Sequence, residues 1–254
     1  MKAKSVAATL GPNRGRKRVY DLSVPFQRDM PSYYFYKNYF QPPMFSVFSQ
    51  PTGTLLGEGT AEAYVTHVSF LTHTGTHVDA PRHWRVDGHY LHEVPPDHWL
   101  GEGPVISVPK QDMEDILASD LEPFRSAIQP GDFVVINTGW HRLWTGPAAD
   151  REGAIRYMER APGLCRESAE WLVAQGVATV LVDTPALDSC AHMGYGDDSL
   201  ESHTTLFAHN IPGIESVGGE VDAVTGYRCL ISCAPVKYVN GDAFPLRVLA
   251  LPLD

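Results

Sequence analysis

A helix that passes directly into a buried strand is the feature that most constrains the fold. Residues 162–164 (Pro-Gly-Leu) open a segment in which Trp171 follows Leu164 at helical spacing, and Gly176 provides the stop. Residues 177–183 then form an apolar run ending in aspartate, which is typical of a buried strand. A helix that reaches a buried strand through one glycine is characteristic of α/β proteins. We therefore predict an α/β fold.

Other segments fit this class. Three apolar or β-branched runs, over residues 63–73, 105–108 and 133–137, predict strands, and residues 244–252 predict a closing strand. Residues 111–127 predict a short helix with an acidic beginning. The chain has 254 residues, near the upper limit for one hydrophobic core. We predict one domain over residues 19–254, preceded by a flexible basic tail over residues 1–18.

The charge balance and the cysteines exclude several classes of protein. Twenty Lys and Arg against thirty Asp and Glu give a net charge of −10, which argues against nucleic-acid binding. No apolar run reaches the length of a membrane helix, so no membrane association is expected. The four cysteines form no Cys-x-x-Cys pair and predict free thiols in a reducing compartment, the cytoplasm.

An aromatic arm precedes the first long strand. Residues 30–51 contain eight Tyr and Phe side chains among four prolines, which prevents a long helix. So much aromatic surface is rarely left in water. The arm is expected either to line a pocket for a planar substrate or to pack against a partner subunit. Tyr36 and Phe40 are the candidates for substrate contact within it.

The segment from residue 73 to residue 83 carries the chemistry. In an extended chain His73, His77 and Asp79 share one face, and Gly75 allows close backbone approach. Pro81 fixes a turn that directs a further histidine towards the same point. Two imidazoles and a carboxylate form an open three-ligand set for a divalent metal. A helix would also bring the first two histidines together, but the glycine and the proline disfavour it.

The eleven-residue segment resembles the signature of a known family. It is similar to the His-x-Gly-Thr-His-x-Asp-x-Pro-x-His motif of the cyclase family of metal-dependent hydrolases, which includes bacterial kynurenine formamidase and isatin hydrolase. Four further segments agree with that family. They are residues 131–140 (ending Thr-Gly-Trp), residues 162–177, residues 183–188 (beginning Asp-Thr-Pro), and Lys237 with residues 241–247 (Gly-Asp-Ala-Phe-Pro-Leu-Arg).

The resemblance implies a fold, an assembly and further ligands. It implies a single domain with a mixed central sheet or barrel-like core and flanking helices, of the swivelling β/β/α type, with an N-terminal arm. It implies a homo-oligomer, a dimer or tetramer. His203 and, twelve residues later, Glu215 match a histidine and a glutamate that complete the site in the formamidases. Asp79 would then bridge two ions, with His73 and His77 on one and His203 and Glu215 on the other.

The predicted function is hydrolysis of a C–N bond, in an amide, formamide or cyclic amide, of a small aromatic substrate. A divalent ion, Zn²⁺ or Mn²⁺, would polarise the carbonyl and acidify water. His83 is the predicted proton shuttle, because an imidazole titrates near working pH. Trp84 is a candidate stacking residue for an aryl ring. The alternatives are a lactone hydrolase, a metal-dependent lyase or dehydratase, and a non-catalytic metal-binding scaffold.

Overall fold

The structure is a computed structural model that describes residues 17–28, 30–31, 44–51, 62–144, 151–193 and 200–253. Its strands are β1 (Tyr20–Asp21), β2 (Met44–Pro51), β3 (Glu62–Ser69), β4 (His77–Asp79), β5 (Leu100–Ser107), β6 (Asp115–Ile116), β7 (Phe133–Asn137), β8 (Gly163–Leu164), β9 (Thr179–Val182), β10 (Gly213–Glu215), β11 (Arg228–Ser232), β12 (Ala243–Pro245) and β13 (Leu249–Pro252). Its α-helices are α1 (Ala118–Leu121), α2 (Arg151–Glu159), α3 (Arg166–Ala174), α4 (Glu201–Ala208) and α5 (Val221–Val224).

A nine-stranded mixed sheet organises the domain, in the order β1-β13-β11-β5-β7-β9-β10-β4-β12. The four central strands β5, β7, β9 and β10 are parallel neighbours, whereas the flanking pairs are antiparallel. Strand β9 follows α3 directly, as the sequence indicated. The predicted α/β fold with a mixed central sheet is confirmed.

The central strands are apolar because both of their faces are covered. On β7, Phe133 and Val135 join the hydrophobic cluster on one face of the sheet, whereas Val134 and Ile136 join the cluster on the other face. All four side chains are fully buried. Each such burial stabilises the fold by roughly 1.5–3 kcal/mol. This double burial explains why the strand appears in the sequence as an unbroken apolar run.

Two glycines of β5, Gly101 and Gly103, lie against Phe133 of the neighbouring strand β7, and Gly103 makes the closer approach. A Cβ atom added there would lie 1.8 Å from the backbone oxygen of Phe133. We expect Gly103→Ala to destabilise the protein by about 3 kcal/mol, because backbone rather than a flexible side chain must move. The melting temperature should fall by roughly 6–12 °C. Glu102→Ala, at the exposed neighbouring position, is the control in the same thermal melt; equal melting temperatures for the two variants would contradict this account.

Three predicted elements have different bounds in the structure. Strand β3 ends at Ser69, so no strand runs through His73; residues 72–76 bend, and Gly75 adopts a positive φ of 65°. The predicted helix over residues 111–127 is wrong over most of its length. Only α1 is α-helical, and a 3-10 helix follows, because Pro123 has no amide hydrogen to continue the α-helix.

The predicted closing strand is divided in two. Strand β12 pairs with β4, whereas β13 pairs with β11 near the other end of the strand order. Residues 246–248 therefore carry the chain between the two ends of the sheet. This crossover places the segment before β12 beside β4, where the candidate site lies.

Both ends of the predicted arm region can be described. Residues 32–43, which include Tyr36 and Phe40, lie outside the described residues. Strand β2 pairs along its whole length with β3 in an antiparallel two-stranded sheet. At the other end, Met30 and Pro31 are buried, and a Cβ atom at Gly75 would lie 2.7 Å from Met30 Cε. The start of the arm therefore packs directly on the loop that carries His73.

The described N-terminal residues contact the domain. Lys17 Nζ donates a hydrogen bond to the Leu253 carbonyl, and Arg18 pairs with Glu220. Residues 1–16 of the predicted tail lie outside the described residues. None of the helices in the described ranges has the length and hydropathy to span a bilayer. The four cysteines are free thiols, as predicted.

Candidate metal centre

Strands β4 and β10 present three ligand-type side chains at one place. His77 and Asp79 alternate along β4 and share a face, whereas Val78 between them points into the core. Glu215 lies directly opposite His77 in the antiparallel register of β10 and β4. His77 Nε2 lies 3.2 Å from Asp79 Oδ1 and 3.3 Å from Glu215 Oε2. All three side chains are buried.

Two further histidines reach Asp79 from the flanking turns. His73 precedes the bend at Gly75, and its Nδ1 atom lies 2.8 Å from Asp79 Oδ1. His83 ends the 3-10 helix Pro81–His83, whose first position is the proline, as the predicted turn requires. Its Nε2 atom lies 3.8 Å from Asp79 Oδ2, and its ring centroid is 4.1 Å from that of His73.

Helix α4 supplies His203 from its first turn. The Asp188 carboxylate accepts hydrogen bonds from the backbone amides of Ser202 and His203 and from His203 Nδ1. These contacts fix both the beginning of the helix and the ring. His203 Nε2 then lies 3.2 Å from Glu215 Oε1 and 3.6 Å from Asp79 Oδ2.

The ligand-type atoms form two groups that share Asp79. Asp79 with His73 and His83 is one group, and Asp79 with His77 and Glu215 is the other; within each group the atoms lie within 4.8 Å of one another. The structure therefore brings together every predicted ligand and also places His83 at ligand distance. The predicted division, with His73 and His77 on one ion, stays a prediction.

The electrostatics of this cluster favour a cation. Burial disfavours the charged imidazole of His73, but Asp79 and Asp242 outweigh this effect and raise its pKa to about 10. The pKa values of His77 and His203 are also raised, against their burial, by the neighbouring carboxylates. Burial raises the pKa of Asp79, but the surrounding imidazoles hold it well below the usual range. The carboxylates thus draw positive charge into the cluster, and a divalent ion would replace protons in supplying it.

The donor atoms also fit a metal geometrically. In three of the histidines one ring nitrogen is held by another group: Asp242 for His73, the Gly75 carbonyl for His77, and Asp188 for His203. The other nitrogen of each ring faces Asp79. This arrangement is typical of metal-binding histidines. Among the described residues, His77 Nε2 and Asp79 Oδ1 are buried without a hydrogen-bond partner despite their short separation. The residues present therefore fit a divalent ion with nitrogen and oxygen ligands.

Asp242 is a site residue that the sequence analysis did not single out. Its carboxylate accepts a hydrogen bond from His73 Nε2 at 2.9 Å and lies 3.5 Å from His83 Nδ1. These hydrogen bonds, opposed by partial burial, hold its pKa far below the usual range. Asp242 directly precedes β12, whose Ala243 pairs with Asp79. The sequence did contain one signal for this residue, because Asp242 lies in the closing segment, residues 241–247, that is similar to the family's sequence.

A small cavity adjoins the cluster. Its walls are formed by Pro31, His73, Gly75, His77, Trp144, Met158, Pro185 and Ser216. Trp84, predicted to stack on an aryl ring, is not in this wall; it lies half-exposed with its ring centroid 6.1 Å from that of His83. The arm does reach the site, because Pro31 lines the cavity.

The family model described as "Putative cyclase" matches residues 20–189 of the chain. The chain belongs to this cyclase family. The resemblance predicted from the motif of residues 73–83 is therefore confirmed. The matched region contains His73, His77, Asp79 and His83, whereas His203, Glu215 and Asp242 lie beyond it.

Relatives of this cyclase-family chain are found among curated proteins and solved structures. The kynurenine formamidase of Bacillus cytotoxicus is 27% identical over 186 residues, which cover 73% of this chain and 79% of that protein. Isatin hydrolase A from Ralstonia solanacearum is 24% identical, with a TM-score of 0.77 and 99% of both chains covered. Isatin hydrolase A from Labrenzia aggregata is 22% identical, with a TM-score of 0.75, covering 93% of this chain and 94% of that one. The two solved structures share the fold.

Proposed function

We propose that this chain is a metal-dependent hydrolase that opens a C–N bond, in an amide, formamide or cyclic amide, of a small aromatic substrate. The observation that carries the proposal is the convergence of His73, His77, His203 and Glu215 on the buried Asp79 carboxylate. Kynurenine formamidase and isatin hydrolase, the relatives named above, are hydrolases of such bonds. A nitrogen- and oxygen-ligated divalent ion suits this chemistry, because it polarises a carbonyl and acidifies water when bound.

The protein's own residues supply the proton transfer and the alignment. His83 is partly exposed, and its Nε2 atom faces the centre while Nδ1 faces Asp242. We assign His83 the removal of a proton from the attacking water and its delivery to the leaving nitrogen. The Asp242 carboxylate orients the His83 ring and also holds His73. One carboxylate thus fixes a proposed ligand and the proposed proton carrier relative to each other.

The buried walls of the site exclude bulk water from the reacting groups. Asp79 and His77 are almost completely buried, whereas His83 is accessible at its edge. A substrate therefore approaches from the side of His83 and half-exposed Trp84. We propose that Trp84 contacts the aryl ring there, since its indole offers a large apolar face. The assignments of Tyr36 and Phe40 to substrate binding are likewise proposals, carried by the sequence alone.

Metal analysis followed by a substrate panel tests the function. We expect the purified protein to contain one or two equivalents of zinc or manganese, and chelation to abolish turnover until that metal is restored. The panel compares N-formylkynurenine, isatin and simple lactones under identical conditions. Hydrolysis of the formamide or the lactam supports the proposal. Turnover of lactones alone would favour the lactonase alternative, and tightly held metal without turnover of any substrate would contradict an enzyme of this type.

A further inference from the structure

The turn that leads into Asp242 contains the chain's only asparagine–glycine pair, Asn240 and Gly241. The Gly241 amide donates a hydrogen bond of 3.2 Å to the Tyr238 carbonyl, which closes a β-turn over residues 238–241. Asn240 is exposed and has a positive φ of 58°, which asparagine tolerates better than most residues. A Cβ atom at position 241 would lie 2.4 Å from Tyr238 Cδ1 and 2.8 Å from its Cγ. The turn therefore requires a residue without a side chain directly after the asparagine.

An asparagine followed by glycine is chemically labile, because no side chain shields the amide nitrogen after it. The Gly241 nitrogen attacks the side-chain carbon Cγ of Asn240 and forms a five-membered succinimide ring. The side-chain nitrogen leaves as ammonia, taking up the proton that the Gly241 nitrogen loses. Water then opens the ring, at Cγ to give aspartate or at the main-chain carbonyl to give isoaspartate. In isoaspartate the main chain runs through Cγ and is one carbon longer.

The chain around this turn has little slack for an additional carbon. Three consecutive residues each make one hydrogen bond to a neighbouring segment: Asn240 N to His92 Nδ1 at 3.2 Å, Gly241 O to the Leu91 amide at 2.9 Å, and Asp242 O to the Ala80 amide at 2.8 Å. A longer main chain cannot keep all three contacts with Asp242 in place. The Asp242 carboxylate accepts a hydrogen bond from His73 Nε2 at 2.9 Å and lies 3.5 Å from His83 Nδ1, so a shift of this residue reaches the metal centre.

We propose that Asn240 is a site of spontaneous deamidation, and that the isoaspartate formed there displaces Asp242 and weakens its hold on His73 and His83. The modification is independent of the proposed hydrolase function, and only its effect on turnover rests on that function. The hydrogen bond from the Gly241 amide to Tyr238 must open before the nitrogen can attack, so local opening of this turn sets the rate. Activity then declines as the protein ages.

Asn210 provides a matched control within the same chain. It is also exposed and has a φ of 56°. The amide after it is likewise hydrogen-bonded, since Ile211 N donates to the Leu206 carbonyl at 3.1 Å. The following residue is β-branched at this position, so its side chain crowds the amide nitrogen. A difference in reactivity between the two asparagines therefore reports the effect of the glycine.

Incubation of the full-length protein in mildly alkaline buffer tests the modification. Digested peptides containing residues 240 and 210 are quantified by chromatography and mass spectrometry, which separate isoaspartate from aspartate, against an unincubated sample. We expect most of the Asn240 peptide to convert, mainly to isoaspartate, while the Asn210 peptide stays unmodified. Asn240→Gly keeps the positive φ and cannot react. Equal conversion of the two peptides, conversion to aspartate alone, or conversion only after unfolding in denaturant would overturn the proposal.

The effect on the metal centre is measured on the same samples with formanilide, the simplest aryl formamide. Extrapolated to full conversion, kcat/KM should fall roughly 10- to 100-fold, the usual loss when the partner of a metal-binding histidine is disturbed. Protein isoaspartyl methyltransferase with S-adenosylmethionine converts isoaspartate back to aspartate and should restore most of this activity. Asn240→Asp before incubation has the new charge on a main chain of normal length and should stay within about twofold of the wild type. Unchanged activity, or a loss that the methyltransferase does not reverse, counts against the proposal.

Zinc affinity separates this proposal from the hydrolase function. If unmodified protein does not hydrolyse formanilide, the hydrolase proposal fails for this substrate, and zinc binding in competition with a chelator of known affinity decides the role of the turn. An affinity that is roughly 10- to 100-fold weaker after conversion supports the proposal. An unchanged affinity contradicts it.

Discussion

Asp79→Asn is expected to remove bound divalent metal and to lower kcat/KM by about 1,000-fold or more, since the ion's stabilisation of the transition state amounts to several kcal/mol. The reason is the position of this carboxylate, which belongs to both groups of ligand-type atoms. Asparagine has the same shape but no charge, so it weakens both groups without opening a cavity. Metal content by mass spectrometry and steady-state kinetics on the same preparation measure the two effects.

Two comparison variants test whether the loss of metal and activity is specific to the carboxylate that both groups share. Asp242→Asn makes the same chemical change in a carboxylate that only supports histidines, so it should retain metal and lose roughly 10- to 100-fold in activity. Glu215→Gln affects only one of the two groups and should lose no more than one equivalent of metal. Circular dichroism and thermal melts show whether each variant is folded. A folded Asp79→Asn protein that retains stoichiometric metal would refute the ligand assignment.

The sequence predicted the part of the site that lies close together along the chain. His73, His77, Asp79 and His83 lie within eleven residues, so local geometry is enough to bring them together. Even there the strand predicted over residues 63–73 ends earlier, at Ser69, and the chain is not extended from His73 to Asp79, because the positive φ of Gly75 turns it before β4 begins. The ligands still converge, because a tight bend and a short strand direct the side chains to the same point.

The distant residues depend on sheet pairing, which local periodicity does not encode. Glu215 is placed by the register of β10 on β4, and Asp242 by that of β12 on the other side of the same strand. His203 and Glu215 came only from the family resemblance, and Asp242 was not assigned a role.

His83→Ala is expected to lower kcat for formanilide by about 100- to 10,000-fold, the range typical of a lost general acid–base group, while metal content stays unchanged. Added imidazole should restore part of the activity, because it can occupy the space of the missing ring. His209→Ala is the matched control, because His209 is exposed just after α4 and its Nδ1 hydrogen-bonds to the Thr205 carbonyl of that helix. Loss of metal from His83→Ala would instead make His83 a ligand, which its 3.8 Å distance from Asp79 Oδ2 also allows.

A comparison of two substrates that differ in their leaving group distinguishes proton delivery by His83 from the other roles this residue could have. Aniline is a poor leaving group unless its nitrogen is protonated as the C–N bond breaks, whereas 4-nitroaniline needs much less protonation. If His83 delivers that proton, the defect of His83→Ala should be at least about tenfold smaller for 4-nitroformanilide than for formanilide. A residue that only orients a ligand or excludes water affects both substrates equally. The Asp242→Asn variant should show the same leaving-group dependence in weaker form, because its carboxylate acts on the leaving nitrogen only through the imidazole that it orients.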